Sequence, residues 1–228
     1  MSRQLAFDLP HRAAMGREDF FVSPANAAAV AGIEAWRDWP LPKMVLAGPP
    51  GAGKTHLAHV WAGLTDATVI AAADLPGRTE ALLSVPALAV ENAERIAGDA
   101  AAEEALFHLH NALEQRGAPL LLTAWDAPER WHLGLPDLAS RMAQAGLLRM
   151  SPPDEPLLSA VMLKLAHDRG LAVTPATVTY ALGRIDRSFA AAGAFIAALD
   201  ARALELGRKP TRDLARLVLD AGAGGDLS

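Results

Sequence analysis

The residues whose types and spacing point most directly to chemistry are Gly48-Pro49-Pro50-Gly51-Ala52-Gly53-Lys54-Thr55, which fit the G-x-x-x-x-G-K-[ST] pattern of a phosphate-binding loop. Glycines at these spacings let backbone N–H groups curl around an anion, and the start of the following helix adds the positive end of its dipole. Lys54 supplies a mobile charge toward the β and γ positions of a nucleotide, Thr55 offers the hydroxyl expected to hold Mg²⁺, and His56 closes the stretch. A chance glycine-rich turn would share the composition but not the order, in which an apolar run precedes the loop and helical spacing follows it. ATP or ADP with Mg²⁺ is the ligand chemistry this loop predicts. His56 and His59 lie about one turn apart without a carboxylate between them, so packing or capping is the expected role rather than metal binding.

A phosphate loop needs an acidic partner, and Leu88-Ala89-Val90-Glu91-Asn92 is the one good candidate, with Glu91 at the end of an apolar run. Glu91 is expected near the Mg²⁺ shell, against the plainer reading of a solvent-facing residue at a strand end. Asn92 cannot serve as a general base, because an amide has no useful basicity, so intrinsic hydrolysis is expected to be slow. Trp36, Trp39, Trp61, Trp125 and Trp131 lack interleaved basic residues and read as packing rather than nucleobase platforms, with Trp125 and Trp131 the two that could face a partner.

These residues need a scaffold that presents the loop between a strand and a helix. Short apolar runs at Met44 to Ala47, Thr68 to Ala72, Ala87 to Val90, Leu120 to Thr123 and Leu147 to Met150 alternate with helical or turn material. That alternation predicts an α/β fold, a five-stranded parallel sheet covered on both faces. A helix is expected from Pro24 to Trp36, with Ser23 as its N-cap. After Ser151-Pro152-Pro153 the strand signals stop, and four stretches with helical apolar spacing predict a small all-α lid: Glu155 to Arg169, Pro175 to Arg184, Arg187 to Leu206 and Thr211 to Leu219. The expected organisation is an extended tail over 1–12, a nucleotide-binding unit over 13–151 and the lid over 152–228.

Bulk properties narrow the classes further. The 228 residues contain no cysteine, which removes disulfide and thiolate chemistry and favours a cytoplasmic home. No apolar stretch has the length of a signal peptide or a membrane span. The net charge of -5, with nine Lys/Arg against nine Asp/Glu over 151–228, gives no general attraction for nucleic acid.

Three stretches carry a resemblance: Gly51-Ala52-Gly53-Lys54-Thr55-His56-Leu57-Ala58-His59, Phe107-His108-Leu109-His110-Asn111-Ala112-Leu113-Glu114, and Gly134-Leu135-Pro136-Asp137-Leu138-Ala139-Ser140-Arg141. In these the chain resembles the AAA+ core of the DnaA-related family of bacterial replication proteins, and more closely its short Hda-type branch, from about residue 18 to about residue 220. The resemblance implies an AAA+ core followed by a helical lid. It also implies that Thr123 is the sensor 1 residue, that Arg187 is the sensor 2 residue, and that Arg141 is an arginine finger acting on a neighbouring molecule's nucleotide. Without it, Arg141 is an ordinary surface charge and Arg187 a helix-start partner of Asp186. Glu91 departs from the family's Asp, which alters the expected metal geometry by about one methylene.

The resemblance extends to the tail, where Gln4-Leu5-Ala6-Phe7-Asp8-Leu9 is similar to the peptide that docks on the bacterial sliding clamp, with Gln4 as polar contact and Leu5, Phe7 and Leu9 as apolar anchors. On composition alone such a tail could equally pack on the core. No basic helix-turn-helix segment is evident, and Asp74 to Pro86 is short for the family's DNA-engaging insertion, so sequence-specific DNA binding is not expected. The implied function is a negative regulator of replication initiation: held on the DNA polymerase sliding clamp, it would promote ATP hydrolysis by DnaA. The alternative is an ATP-driven loader or adaptor of the DnaC or transposition-helper type, which would need a competent base beside Glu91. A small-molecule kinase is disfavoured by the helical lid and by Thr123. A finger acting between subunits is also compatible with self-association.

Overall fold

Alternation along the strands decides how the sheet is covered. In β1 (Lys43–Ala47), Val45 and Ala47 face one apolar cluster while Met44 and Leu46 face another, and all five residues are buried. β4 (Leu120–Ala124) follows the same two-residue period, sending Leu120, Leu122 and Ala124 to the first cluster and Leu121 to the second. Strands buried on both faces belong to the middle of a parallel sheet. The computed structural model, which describes residues 21–223, shows that sheet.

Its other strands are β2 (Thr68–Ala71), β3 (Leu88–Glu91) and β5 (Gly146–Arg149), in the order β2-β3-β4-β1-β5 and all parallel. All five predicted strands are present, with ends moved by a residue or so. β1 lies between β4 and β5, with Leu46 opposite Thr123 and Ala47 opposite Arg149. The chain therefore crosses from one half of the sheet to the other around the phosphate-loop strand, and a crevice at the carboxyl end of such strands is where open parallel sheets bind ligands.

One face of the sheet is covered by α1 (Ala27–Glu34) and α2 (Lys54–Thr65), whose Ile33, Leu57 and Trp61 are fully buried. Trp39 stacks on Trp61 with ring centroids 5.8 Å apart and donates its indole N–H to the Gly32 carbonyl at 2.8 Å. The opposite face is covered by α4 (Ala100–Arg116) and α5 (Pro136–Ala143), which bury Leu106, Leu109, Leu113, Leu138 and Met142. The connection from β2 to β3 holds one short helix, α3 (Thr79–Leu82).

The first helix starts later than the sequence suggests. The Ser23 hydroxyl accepts from the Ala25 N–H, and the Asn26 side chain accepts from the Ser23 N–H and donates to the Phe21 carbonyl. These bonds close a turn over Ser23 to Asn26, so regular helix begins only at Ala27 and ends at Glu34 before a single 3-10 turn over Trp36–Asp38.

Beyond β5 the described chain is helical: α6 (Glu155–Asp168), α7 (Pro175–Leu182), α8 (Phe189–Leu206) and α9 (Arg212–Ala223). The Asp154, Thr174 and Ser188 side chains cap α6, α7 and α8 by accepting first-turn N–H groups. These helices share their own apolar cluster, with Leu158, Met162, Val178, Phe195, Ile196, Leu199 and Leu214 buried in it. Among the described residues no helix is long and apolar enough to cross a membrane.

Candidate functional site

The loop from Gly48 to Gly53 leaves the carboxyl end of β1 and delivers Lys54 as the first residue of α2. The Gly48 N–H donates to the Ala124 carbonyl at 3.1 Å, which extends the β1–β4 pairing into the loop. The Ala52 N–H then donates to the Pro49 carbonyl and closes a turn around Pro50. Gly51 and Gly53 hold φ of +75° and +94°, conformations that side-chain-bearing residues rarely adopt. Gly53 is the N-cap of α2, so the N–H groups of Lys54, Thr55 and His56 form a first helical turn that has no intrahelical acceptor. The predicted cradle is therefore built as a loop followed by an open helix start.

Lys54 is buried, and its ammonium donates back to the Gly48 carbonyl at 2.6 Å and the Pro49 carbonyl at 2.9 Å. Burial lowers its pKa, opposed by the negative charge of Glu94. Thr55 is exposed at the helix start, while His56 is half-buried. Among the described residues no group of three or more His, Cys, Asp or Glu is arranged to hold a metal ion by itself.

Opposite the cradle, β3 ends at Glu91, whose Oε1 is buried with no hydrogen-bond partner. Asn92 follows at φ +55° and turns the chain into a 3-10 turn over Ala93–Ile96. The Asn92 N–H donates to the Thr123 hydroxyl at 3.0 Å. That bond fixes Thr123, which is buried near the end of β4, beside the end of β3. Glu94, inside the turn, has both carboxylate oxygens buried and unpartnered.

A phosphate loop whose lysine rests on its own carbonyls, facing orphaned carboxylate oxygens, fits a nucleotide with a divalent cation. The open N–H turn of α2 would take the phosphates, Thr55 and Glu91 would hold the cation or its water, and Lys54 would turn from loop carbonyls to phosphate. An unpartnered buried carboxylate oxygen costs free energy until a cation or a donor reaches it.

The helical region touches this cradle. A Cβ on Gly51 would lie 2.7 Å from the Ser188 Cβ, and one on Gly53 would lie 3.0 Å from the Phe189 ring. The start of α8 therefore sits directly on the phosphate loop. Arg187, immediately before Ser188, is exposed. Its neighbours Ser188 and Phe189, rather than Arg187 itself, lie against Gly51 and Gly53.

Arg141 lies elsewhere. It is on α5, with its guanidinium 3.2 Å from Glu114 Oε2 and 5.6 Å from the centroid of the Phe107 ring. Glu114 in turn lies 3.6 Å from the ammonium of Lys43, the first residue of β1. The cradle leaves the last residue of that strand, roughly 13 Å away at the ordinary strand rise. Arg141 thus sits at the opposite end of the sheet from the phosphate loop of its own chain. The Lys43 ammonium is buried 3.0 Å from His110 Nε2, while the Asn111 side chain is 3.3 Å from His110 Nδ1. Burial lowers the pKa of both Lys43 and His110, and each is opposed by Glu114. A neutral His110 that accepts from Lys43 satisfies both groups.

Sequence reasoning did not find Glu103. It is buried and accepts three backbone N–H groups: Gly98 and Gly134 at 3.0 Å each on Oε1, and Leu135 at 2.6 Å on Oε2. Burial would raise its pKa, but the three donors outweigh burial and lower it. Glu103 thereby ties the entry to α5, the helix of Arg141, to the first turns of α4. The signal available was an N-cap Asp99 followed four residues later by a glutamate inside an otherwise apolar helix face. Glu94 could have been found by its spacing of three from Glu91.

Trp131 is buried and donates to the Asp126 carbonyl at 2.9 Å, so it faces no partner. Trp125 is half-exposed, with the Arg95 guanidinium 5.5 Å from the centroid of its ring. Gln4, Leu5, Phe7 and Leu9 lie outside the described residues.

A five-stranded parallel sheet in this order, with a phosphate loop after β1 and a helical region whose α8 touches that loop, is the AAA+ fold. Solved structures agree. Domain III of the replication initiation protein DnaA from Thermotoga maritima is similar with a TM-score of 0.82 at 18% identity, over 93% of this chain and 98% of that one. DnaA from Aquifex aeolicus bound to AMPPCP is similar at 0.70 and 16%, over 82% of this chain but 65% of that one. RuvB from Thermotoga maritima, a Holliday junction branch migration motor, gives 0.68 and 22%, over 85% and 67%. No family model matches the chain.

Proposed function

We propose that this chain is a nucleotide-binding member of the DnaA-related AAA+ family, of the Hda type, that acts as a negative regulator of replication initiation. In this reading it binds ADP or ATP with Mg²⁺ in its own cradle, docks on the DNA polymerase sliding clamp through Gln4, Leu5, Phe7 and Leu9, and offers Arg141 to ATP bound by DnaA. The guanidinium would stabilise charge as the γ-phosphate is lost, an effect worth about 10³–10⁵ in rate where such fingers are known. The cytoplasm is its expected location. The division into tail (1–12), nucleotide-binding unit (13–151) and helical lid (152–228) belongs to this reading.

The observation that carries it is the position of Arg141. An arginine at the far end of the sheet from its own phosphate loop cannot serve that loop, yet it is half-exposed and oriented by Glu114 and Phe107. Orienting an exposed guanidinium costs side-chain entropy, which suits a residue that must meet phosphate oxygens in one geometry. Thr123 as sensor 1 is supported by its bond to the Asn92 N–H, and Arg187 as sensor 2 by the contact of the next residue with the cradle.

The test is ATP turnover by purified DnaA, with and without this protein and DNA-loaded clamp. Stimulation that needs the clamp and is lost in both Arg141→Ala and Gln4→Ala is the expected result. Turnover by this protein alone, with initiator turnover unchanged, would give the place to the loader or adaptor reading. That second reading is favoured by one observation, the carboxylate at Glu94.

A further inference from the structure

We propose that Glu94 is the general base of this chain's own nucleotide site, in the role that Asn92 cannot fill; the inference rests on the reading of Gly48 to Thr55 as an ATP cradle. Three observations converge on it. The left-handed Asn92 reverses the chain at the end of β3, and the buried Ala93 and Ile96 pin the turn that follows into the core under α4. That geometry leaves Glu94 with both carboxylate oxygens buried and unpartnered. The carboxylate is also near enough to the Lys54 ammonium for its charge to favour the protonated amine, although Lys54 donates to the Gly48 and Pro49 carbonyls instead.

A buried carboxylate with no donor is unfavourable unless a ligand supplies one. Here the ligand side is the cradle. Lys54 marks where the β- and γ-phosphates would lie, and the buried, unpartnered Glu94 carboxylate is close enough to act on its charge. The donor it lacks is a water molecule. In the proposed step the water oxygen bonds to the γ-phosphorus, the bond from that phosphorus to the β–γ bridging oxygen breaks, and a water proton passes to Glu94. ADP and inorganic phosphate are the products, and the proton leaves Glu94 to solvent as phosphate departs. Glu91, at the strand end with a single orphaned oxygen, keeps the cation-side role, and Thr123 is already engaged by the Asn92 N–H.

The experiment uses the full chain with ATP and Mg²⁺. The nucleotide is bound under single-turnover conditions, extracted over time and identified by chromatography, and ADP affinity is measured in parallel with a fluorescent ADP analogue. Wild type is expected to convert its bound ATP slowly to ADP. Glu94→Gln is expected to retain ATP at least about 100-fold longer, the contribution of a positioned base, with ADP affinity within about threefold of wild type. Glu94→Asp, with a carboxylate set back by one methylene, is expected to fall between them.

Equal conversion rates in wild type and Glu94→Gln would overturn the assignment, as would a wild type that never converts ATP. A Glu94→Gln protein that loses ADP affinity more than tenfold would also overturn it, by making Glu94 a structural partner of Lys54. Failure of wild type to bind either nucleotide would instead remove the cradle reading on which the inference rests.

Discussion

Replacing Glu103 by Gln tests whether one buried carboxylate secures the entry to α5, the helix of Arg141. The amide has the shape of the acid but only one acceptor atom. If its oxygen takes the place of Oε1, it keeps Gly98 and Gly134, and the NH₂ group meets the Leu135 N–H head-on where a 2.6 Å bond had been. One buried donor left unsatisfied costs about 1–3 kcal/mol, and two bonds that lose their charge assistance cost about 0.5–1 kcal/mol each. The total is about 2–5 kcal/mol, or roughly 4–20 °C in Tm for a chain of this size.

The pH dependence supplies an independent check on that loss. The folded pKa of Glu103 lies below its ordinary value of 4.5, so the unfolded chain binds its proton first as pH falls. The stabilisation is fully present above about pH 4.5 and is lost as pH falls through the folded value. Urea midpoints for wild type and Glu103→Gln should differ at pH 7 and converge as pH falls through the folded pKa of Glu103. A difference under about 0.5 kcal/mol at pH 7, or one that persists unchanged at low pH, would refute the argument.

Three further outcomes follow from other contacts. Lys54→Ala should weaken ADP binding about 10–150-fold, the worth of a charge-assisted contact to phosphate, as read by titration with a fluorescent ADP analogue. Gly51→Ala should cost about 1–2 kcal/mol for a left-handed residue and push Ser188 away, so a double-mutant cycle with Ser188→Gly, read by thermal unfolding, should show coupling. Glu114→Ala should cost about 1–2 kcal/mol in urea denaturation, between a surface pair and a buried one, because it strands Lys43; adding Lys43→Met should recover most of that loss.

The scaffold was legible because its strands obey a simple rule. Runs such as Met44 to Ala47 and Leu120 to Leu122 are apolar throughout, and only a strand covered on both faces can bury such a run. The cradle was legible because its spacing is tied to a backbone path. The start of α1 was missed because side-chain bonds of Ser23 and Asn26 compete with the first helical turn, and propensity gives no measure of that competition. Trp131 packs as its composition suggests, but that it is turned inward rather than toward a partner depends on the core it joins and on the Asp126 carbonyl five residues back, within reach of its indole. The bonds made by Glu103 and by the Lys43, His110 and Glu114 set were illegible for a related reason. Their partners come from residues up to 67 positions away in sequence, and no local pattern marks a carboxylate that serves another segment's N–H groups.

The two arginine and lysine sites at opposite ends of β1 give the molecule a direction. At the carboxyl end, Ser188 and Phe189 at the start of α8 lie against the cradle, so a shift of that loop on binding phosphates would reach the helices that follow. At the amino end, Lys43 anchors the carboxylate that holds Arg141. The same five-residue strand carries both, and a strand buried on both faces moves as a unit or not at all. A slow Glu94-assisted turnover would leave ADP in the cradle as the resting ligand. The nucleotide would then set the angle of α8 without driving a cycle, and Arg141, in the proposed function, would act on a neighbour. On this arrangement, variants at Glu94 should change which nucleotide is held and leave the arginine's environment untouched, and variants at Glu114 should do the reverse.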